Sequence, residues 1–250
     1  MLKVENLRKS FGGVLATDNV SIEFPRESLT AVIGPNGAGK TTFFNLISGA
    51  IAPDSGRILL DGEDIAGRRC ADIVRRGIGR AFQVSKLFAS LTVEESLRAA
   101  LMSPAGKSLS LRGRFPLPQT RDRAWEVMTQ LGLQDKAETV SGNLSHGDQK
   151  LLDMALALVL QPKVLLLDEP VAGMGPEERE QMINTVHALW NKGGLTVVLI
   201  EHDMEIVFRV SQRIFVLARG ALLAEGDADA IRSDPKVIEA YLGKPREPRA

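Results

Sequence analysis

The sequence predicts an α/β fold built on a mostly parallel sheet, and three observations carry that expectation. The runs "LTAVI", "VLLL" and "LTVVLI" are short and wholly apolar, as strands covered on both faces of a parallel sheet are. Stretches with helical character alternate with them. Between the first of these strands and the first helix lies a glycine-rich turn, "GPNGAG".

Taken in order, the chain begins with strands. Leu29–Ile33 is a buried strand that runs into the glycine turn. "KTTFFNLISGAIAP" continues as a helix, closed by Gly49 and Pro53. "GRILLDGEDI" is a strand with a turn, and "RRGIGRAFQ" is a strand with Gln83 at its end. Residues 92–102 form a helix, with Thr92 as N-cap and Glu95 three residues on, the spacing of a capping box. Residues 103–120 break the rhythm. They hold prolines, glycines and basic residues but no acid, and read as a loop or mobile insertion. That segment is either a solvated surface or a basic face toward anionic lipid headgroups or a partner. Helices follow at 121–131 and 148–160, then the strand "KVLLLDEP", a helix over 176–191 and the strand "LTVVLIEHD". A hairpin turns at "ARG" in "RIFVLARGALLAEGD", and two short helices reach Leu242. The charged, proline-containing tail 244–250 is expected to be disordered.

Composition narrows the function classes. With 250 residues, 44% apolar and 25% charged, the chain is long enough to bury a sizeable core. Lys+Arg and Asp+Glu both number 31, a balance that argues against nucleic acid as a partner. The single cysteine, Cys70, excludes an internal disulfide and fits a reducing compartment. Nothing with metal-ligand spacing surrounds it. No signal-like apolar region opens the sequence, and no apolar run approaches the roughly 18 residues of a membrane span. Neither secretion nor membrane crossing is expected, and attachment to a membrane through a partner stays open.

The residues that carry chemistry fall at strand ends. Gly34, Pro35, Asn36, Gly37, Ala38, Gly39, Lys40 and Thr41 match G-x-x-x-x-G-K-[ST] without deviation. In that motif the glycines let successive amides face phosphate oxygens, the lysine reaches the β- and γ-phosphates, and the hydroxyl ligates Mg²⁺. Strand before and helix after give it the right setting. Asp168, at the end of "VLLL", fits a carboxylate that holds Mg²⁺ through water. Glu169 follows it and points a different way, as a general base or water-positioning group would. His202 ends another strand. In a parallel sheet the strand ends share one edge, where ligands bind, so Gly34, Asp168 and His202 are expected to converge. Gln83 also ends a strand, and its amide can touch a Mg²⁺-bound water. The residues alone leave its role open. Ser145 and Gly147 open the helix of "SHGDQKLLDMALALVL" with a hydroxyl and free amides, an anion site by its nature. Since Gly34–Thr41 already cradle one nucleotide, this second site either serves the ATP of another subunit or is plain helix capping.

Taken together, these residues resemble the ATP-binding subunits of ABC transporters over nearly the whole chain. That family's order of aromatic, Walker A, Q-loop, signature, Walker B, D-loop and H-loop is met here by Phe11, residues 34–42 ending in Thr42, Gln83, 144–148, 163–170, 172–175 and His202. The signature reads Leu-Ser-His-Gly-Asp where Leu-Ser-Gly-Gly-Gln is common, and the D-loop reads Ala-Gly-Met-Gly where Ser-Ala-Leu-Asp is usual. The resemblance implies a P-loop NTPase core with an N-terminal antiparallel β subdomain and an inserted α-helical subdomain at about 84–160. It implies one nucleotide-binding domain over 1–243. Phe11 is then expected to stack on adenine, and Glu169, His202 and Gln83 to be catalytic. Thr41, Gln83 and Asp168 would hold Mg²⁺, and Ser145 and Gly147 would face the γ-phosphate. The cofactors implied are ATP and Mg²⁺.

"RAFQVSKLF", "LSHGDQK", "AGMGPEE" and "VIEAYLG" look like the branch that imports branched-chain amino acids or urea and amides, and within it the larger ATPase subunit. The implied partners are two integral-membrane permease subunits and a second ATPase subunit, either a paralogue or another copy, with a substrate-binding protein acting indirectly. The implied place is peripheral, on the cytoplasmic face of the cell membrane. Val84, Leu87 and Phe88, just after Gln83, form a candidate docking surface for a permease helix. The alternatives are an importer ATPase for urea, amides or other organic solutes, and a soluble ABC ATPase without a transport role. A GTPase is disfavoured because Asn191-Lys192-Gly193 is followed by Gly194, not by the aspartate of a guanine-binding motif.

Overall fold

The computed structural model of the chain describes residues 1–82, 88–102 and 120–242. Gln83, Val84 and Leu87, most of the 103–120 insertion, and the tail 244–250 lie outside the described residues. In chain order the elements are β1 (Leu2–Phe11), β2 (Val14–Phe24), β3 (Leu29–Ile33), α1 (Lys40–Ile47), β4 (Ser55–Leu60), β5 (Glu63–Asp64), α2 (Cys70–Arg76), β6 (Ile78–Ala81), α3 (Val93–Met102), α4 (Arg121–Leu131), α5 (His146–Leu158), β7 (Val164–Asp168), α6 (Pro176–Asn191), β8 (Thr196–Ile200), α7 (Met204–Val210), β9 (Arg213–Ala218), β10 (Ala221–Gly226), α8 (Ala228–Ser233) and α9 (Pro235–Leu242). They fall into two compact units, one of Met1–Cys70 with Thr196–Ala250 and one of Ala71–Leu195.

The first unit holds an antiparallel sheet in the order β2-β1-β4-β5. The period of two is visible in its core. Val20, Ile22 and Phe24 are buried on alternate positions of β2, as are Leu2 and Val4 on β1. The same unit carries a parallel set in which β3 lies between β8 and β9, with Val32 opposite Ile200 on one side and Phe215 on the other. Every residue of β3 and β8 is buried, which is why their sequences show no polar alternation. β10 returns antiparallel on β9 through Arg219 and Gly220, both at positive φ (51° and 81°). Two such residues in a two-residue connection make a type I′ turn, whose twist matches that of the strands. Phe24 packs edge-on against Phe215 at 5.4 Å and lies 6.4 Å from Phe43, so β2, α1 and β9 share one core.

The second unit pairs β6 with β7 in parallel, with Ala81 opposite Leu167. Its helices α3, α4 and α5 pack on one another. Ala124, Val127, Met128 and Leu131 form the buried stripe of α4, at the i, i+3, i+4, i+7 spacing of an amphipathic helix. The capping box before α3 is closed in both directions. The Thr92 amide donates to Glu95 Oε2 at 2.9 Å, and the Glu95 amide donates to Thr92 Oγ1 at 3.2 Å.

Three local features differ from the sequence reading. α5 starts at His146, two residues early, because Ser145 takes the N-cap. α2 and α7 were not expected, as each spans only seven residues. α7 is nonetheless well started. Asp203 Oδ1 accepts from the amides of Glu205 and Ile206 at 3.1 and 3.4 Å, which satisfies two orphan donors of the first turn. Among the described residues no helix is long and apolar enough to cross a membrane.

Candidate functional site

The first unit builds a glycine-rich turn between a buried strand and a helix start. β3 ends at Ile33, and the chain turns through Gly34–Gly39 into α1. Gly39 is the N-cap of α1 in a left-handed conformation. No side chain caps that helix and its first turn holds no acid. Its N-terminal amides are thus left for an anion, at the positive end of the helix dipole. Lys40 is 9% exposed. Its ammonium donates to the carbonyl oxygens of Gly34 (2.7 Å) and Pro35 (3.2 Å), arching across the loop mouth. Thr41 is exposed and Thr42 half-buried. The loop is braced from behind, where the Gly220 amide of the β9–β10 turn donates to the Ala38 carbonyl at 3.0 Å.

Two glycines of this loop differ in what they permit. Gly39 has φ 100°, and a Cβ there would lie 2.2 Å from the Ala16 carbonyl oxygen. Gly37 has φ 78° with nothing within 4 Å. Gly39→Ala is therefore expected to cost about 3 kcal/mol of stability, strain and clash together. Gly37→Ala should cost only about 1 kcal/mol. Thermal melts would show a drop of roughly 10 °C for the first and about 3 °C for the second, and equal drops would contradict the geometry.

Phe11 ends β1 with its ring 49% exposed, so the core makes no use of it. The Lys9 ammonium stands 5.5 Å from the ring centroid and is bonded to Asp54 at 2.7 Å. Asp54 also accepts from the amide and hydroxyl of Ser10, and the Lys9 and Ser10 hydrogen bonds hold its carboxyl down at about 2. The strand end that carries Phe11 is thereby fixed, with an aromatic face open to solvent. His202 follows β8, and the register of Val32 with Ile200 brings its backbone to the same edge as Gly34. The imidazole is 62% exposed, beside the fully buried Glu201. Tyr241 of α9 belongs to this edge too. Burial pushes its phenol up to about 12, while the Gly34 backbone amide favours the ionised form, so the hydroxyl stays protonated at neutral pH.

The second unit presents the carboxylates. Asp168 closes β7 and is 4% exposed. Its Oδ2 accepts from Arg80 Nη2 on β6 at 2.7 Å. Glu169 has φ 50°, an uncommon conformation for a non-glycine residue. Its carbonyl accepts from Lys150 Nζ at 3.3 Å. Strain of this kind fixes where the side chain leaves the backbone.

Ser145 caps α5, and the Asp148 amide donates to its Oγ at 3.2 Å. The same hydroxyl donates to Asp148 Oδ2 at 2.7 Å, and Lys136 is ion-paired with the other oxygen. Burial raises the Asp148 carboxyl, but the hydrogen bonds from Lys136 and Ser145 outweigh it and hold the group below its usual range. The helix start faces a cavity of about 280 Å³ lined by Lys136, Ser145, Gly147, Asp148, Met174 and Glu178. His146 turns away from that cavity's lining to the next loop, with Nε2 3.3 Å from the Ala172 carbonyl oxygen. A Cβ on Gly173 would lie 3.2 Å from that nitrogen, so the loop glycine makes room for the imidazole.

The structure thus gathers Phe11, Gly34–Thr42 and His202 in one unit, and Asp168, Glu169, Ser145 and Gly147 in the other. Gln83 lies outside the described residues. Of the docking triplet only Phe88 is described, and it is 47% exposed. Sequence reasoning missed Arg80 and Tyr241, and marked His146 only as a departure from the common signature. A lone arginine in the otherwise apolar strand "IGRA" was the available signal for the first. The donor set suits a nucleotide with Mg²⁺. A buried lysine and the amides at a helix start are of the kind that suits phosphates, and Thr41 in the first unit and Asp168 in the second each carry a hard oxygen of the kind this cation takes. Among the described residues no group of three or more His, Cys, Asp or Glu could hold a metal ion.

The comparisons with known proteins agree with this chemistry. The family model described as "ABC transporter" matches residues 17–172. A second, "Branched-chain amino acid ATP-binding cassette transporter", matches residues 221–247. The chain is 39% identical to the high-affinity branched-chain amino acid transport ATP-binding protein LivG of Escherichia coli, over 98% of both chains. It is 38% identical to the corresponding protein BraF of Pseudomonas aeruginosa, again over 98% of each. Among solved structures, a nucleotide-free ATP-binding cassette from an ABC transporter superposes with a TM-score of 0.87 at 33% identity, covering 98% of this chain and 99% of the other.

Proposed function

We infer the function of this chain from one premise: it belongs to the ABC transporter family of ATP-binding subunits. It is a P-loop ATPase of the ABC fold, and subunits of this kind work with membrane permease components. We propose that it powers import of branched-chain amino acids. The observation that carries this reading is its end-to-end likeness to LivG. The branch-specific match of its C-terminal segment supports it.

Residues 1–243 act as one nucleotide-binding domain with a helical subdomain at about 84–160. Phe11 stacks on adenine. Lys40 exchanges the Gly34 and Pro35 carbonyls for the β- and γ-phosphates, and the Gly34–Thr42 amides hold the phosphate oxygens. Thr41, Asp168 and Gln83 hold Mg²⁺, which when bound neutralises charge at the phosphates. Glu169 takes a proton from the attacking water as its oxygen adds to the γ-phosphorus and the bond to the β-phosphate oxygen breaks. His202 orients that water and the γ-phosphate. Ser145 and Gly147 complete the site of a second ATPase subunit, a paralogue or another copy, so that ATP joins the two and hydrolysis releases them. Closure of the pair moves two permease subunits, fed by a substrate-binding protein. The subunit sits peripherally on the cytoplasmic face of the membrane.

The test is uptake of labelled leucine by cells that lack this protein, complemented with wild type or with Glu169→Gln. Restoration by wild type alone supports importer, cargo class and carboxylate together. Leucine uptake that never depended on the protein would overturn the cargo and point to urea or amides, with the ATPase untouched.

A further inference from the structure

The carboxylate at the end of β7 is already neutralised by the protein. Arg80 and Asp168 stand 88 residues apart in sequence, yet their side chains meet at 2.7 Å and are only 6% and 4% exposed. The parallel register of β6 with β7 brings Arg80 level with Leu166 and Ala81 level with Leu167, so the guanidinium reaches forward along the sheet to the strand end. It does not dangle there. Its charged carbon lies 4.9 Å from the centroid of the Phe82 ring. The Phe82 amide in turn donates to Asp153 Oδ2 on α5 at 2.6 Å, and Asp153 is itself 5% exposed. The arginine is therefore held between a buried carboxylate and an aromatic ring whose own backbone is tied to α5.

A buried carboxylate needs a counter-charge. A divalent cation at the same carboxylate supplies one, and two cationic groups at one carboxylate repel each other. We propose that Arg80 is the resident counter-ion of Asp168, which steadies that carboxylate in the metal-free protein and weakens its hold on Mg²⁺. This rests on Asp168 being the Mg²⁺ carboxylate of the proposed function. Arg80 is a positioning residue in this scheme, since it acts on nucleotide only through Asp168.

The experiment is a Mg²⁺ titration of fluorescent ATP-analogue binding to the purified full-length chain, in wild type, Arg80→Gln, Asp168→Asn and the double variant. Arg80→Gln should move half-saturation to roughly tenfold lower Mg²⁺, the scale of one unit charge removed a few ångströms from a partly screened site. Its melting temperature in EDTA should fall, and Mg²⁺ with nucleotide should recover most of the loss. In the Asp168→Asn background the arginine change should leave the Mg²⁺ curve where Asp168→Asn puts it. An unchanged Mg²⁺ midpoint in Arg80→Gln, alongside a weakened one in Asp168→Asn, overturns the counter-ion role and leaves the site reading intact. An unchanged midpoint in Asp168→Asn overturns the site reading itself. If Arg80→Gln does not fold, the double variant decides. With the orphaned charge gone it should fold, and a double variant that also fails overturns the proposal.

Discussion

Glu169→Gln is expected to slow ATP hydrolysis by roughly 10²–10⁴-fold, the usual worth of a positioned general base, while nucleotide still binds. The substitution is isosteric, so the reason lies in the proton and not in packing. Glu169 is held with φ 50°, and its carbonyl is tied to Lys150. Glutamine inherits that backbone and the direction of the side chain, but it cannot accept the proton of the attacking water. With the release step removed, the ATP-bound pair of subunits should accumulate. Gel filtration with Mg-ATP would then show a dimer for Glu169→Gln and a monomer for wild type. A variant that stays monomeric with Mg-ATP and with its paralogue added would mean that Ser145 only caps α5. Hydrolysis at the wild-type rate would remove Glu169 from the catalytic role.

The parts of the fold legible in sequence are those set by local rules. The phosphate loop is one, because glycine, lysine and a flanking strand and helix suffice to define it. The capping box at Thr92 and Glu95 is another, since both of its bonds run between residues three apart. The "ARG" hairpin is a third, because Gly220 supplies one of the two positive-φ positions a type I′ turn asks for, while Arg219 takes the other at φ 51°. What stayed hidden depends on contacts that no local pattern encodes. The Arg80–Asp168 pair exists only because β6 lies beside β7 in one particular register. His146 was visible as a departure from the common signature, and the D-loop as another. That the two departures meet at Ala172 and Gly173 could be seen only in three dimensions. They are one local arrangement, in which an imidazole bridges the signature helix to the loop and a glycine yields the space. The two readings of Ser145 also meet in one hydroxyl. Its hydroxyl is both the cap of α5 and a donor to Asp148, so capping does not preclude the proposed anion role of the same group. On the proposed function, an incoming phosphate would compete with Asp148 for that hydroxyl.

Lys40→Ala should abolish measurable nucleotide binding. The Lys40 ammonium is buried and donates to the Gly34 and Pro35 carbonyls. On the proposed function, phosphate oxygens would replace those two carbonyls as acceptors. Exchanging neutral carbonyls for anionic oxygens strengthens both bonds, and hydrogen bonds to charged groups are worth about 1.5–3 kcal/mol each. Losing two of them costs roughly 10²–10⁴-fold in affinity, which calorimetry at ordinary protein concentrations would read as no binding. The fold should persist, because the helix amides and the Gly220–Ala38 brace do not depend on the side chain. Lys40→Arg is expected to fail almost as badly despite its charge. A position only 9% exposed has room for a compact ammonium that can be aimed at oxygens on several sides, whereas a planar guanidinium is larger and fixed in its fork. Undiminished affinity in Lys40→Ala would remove the loop from nucleotide binding. Wild-type affinity in Lys40→Arg would show that charge alone, without the fit of the ammonium, holds the phosphates.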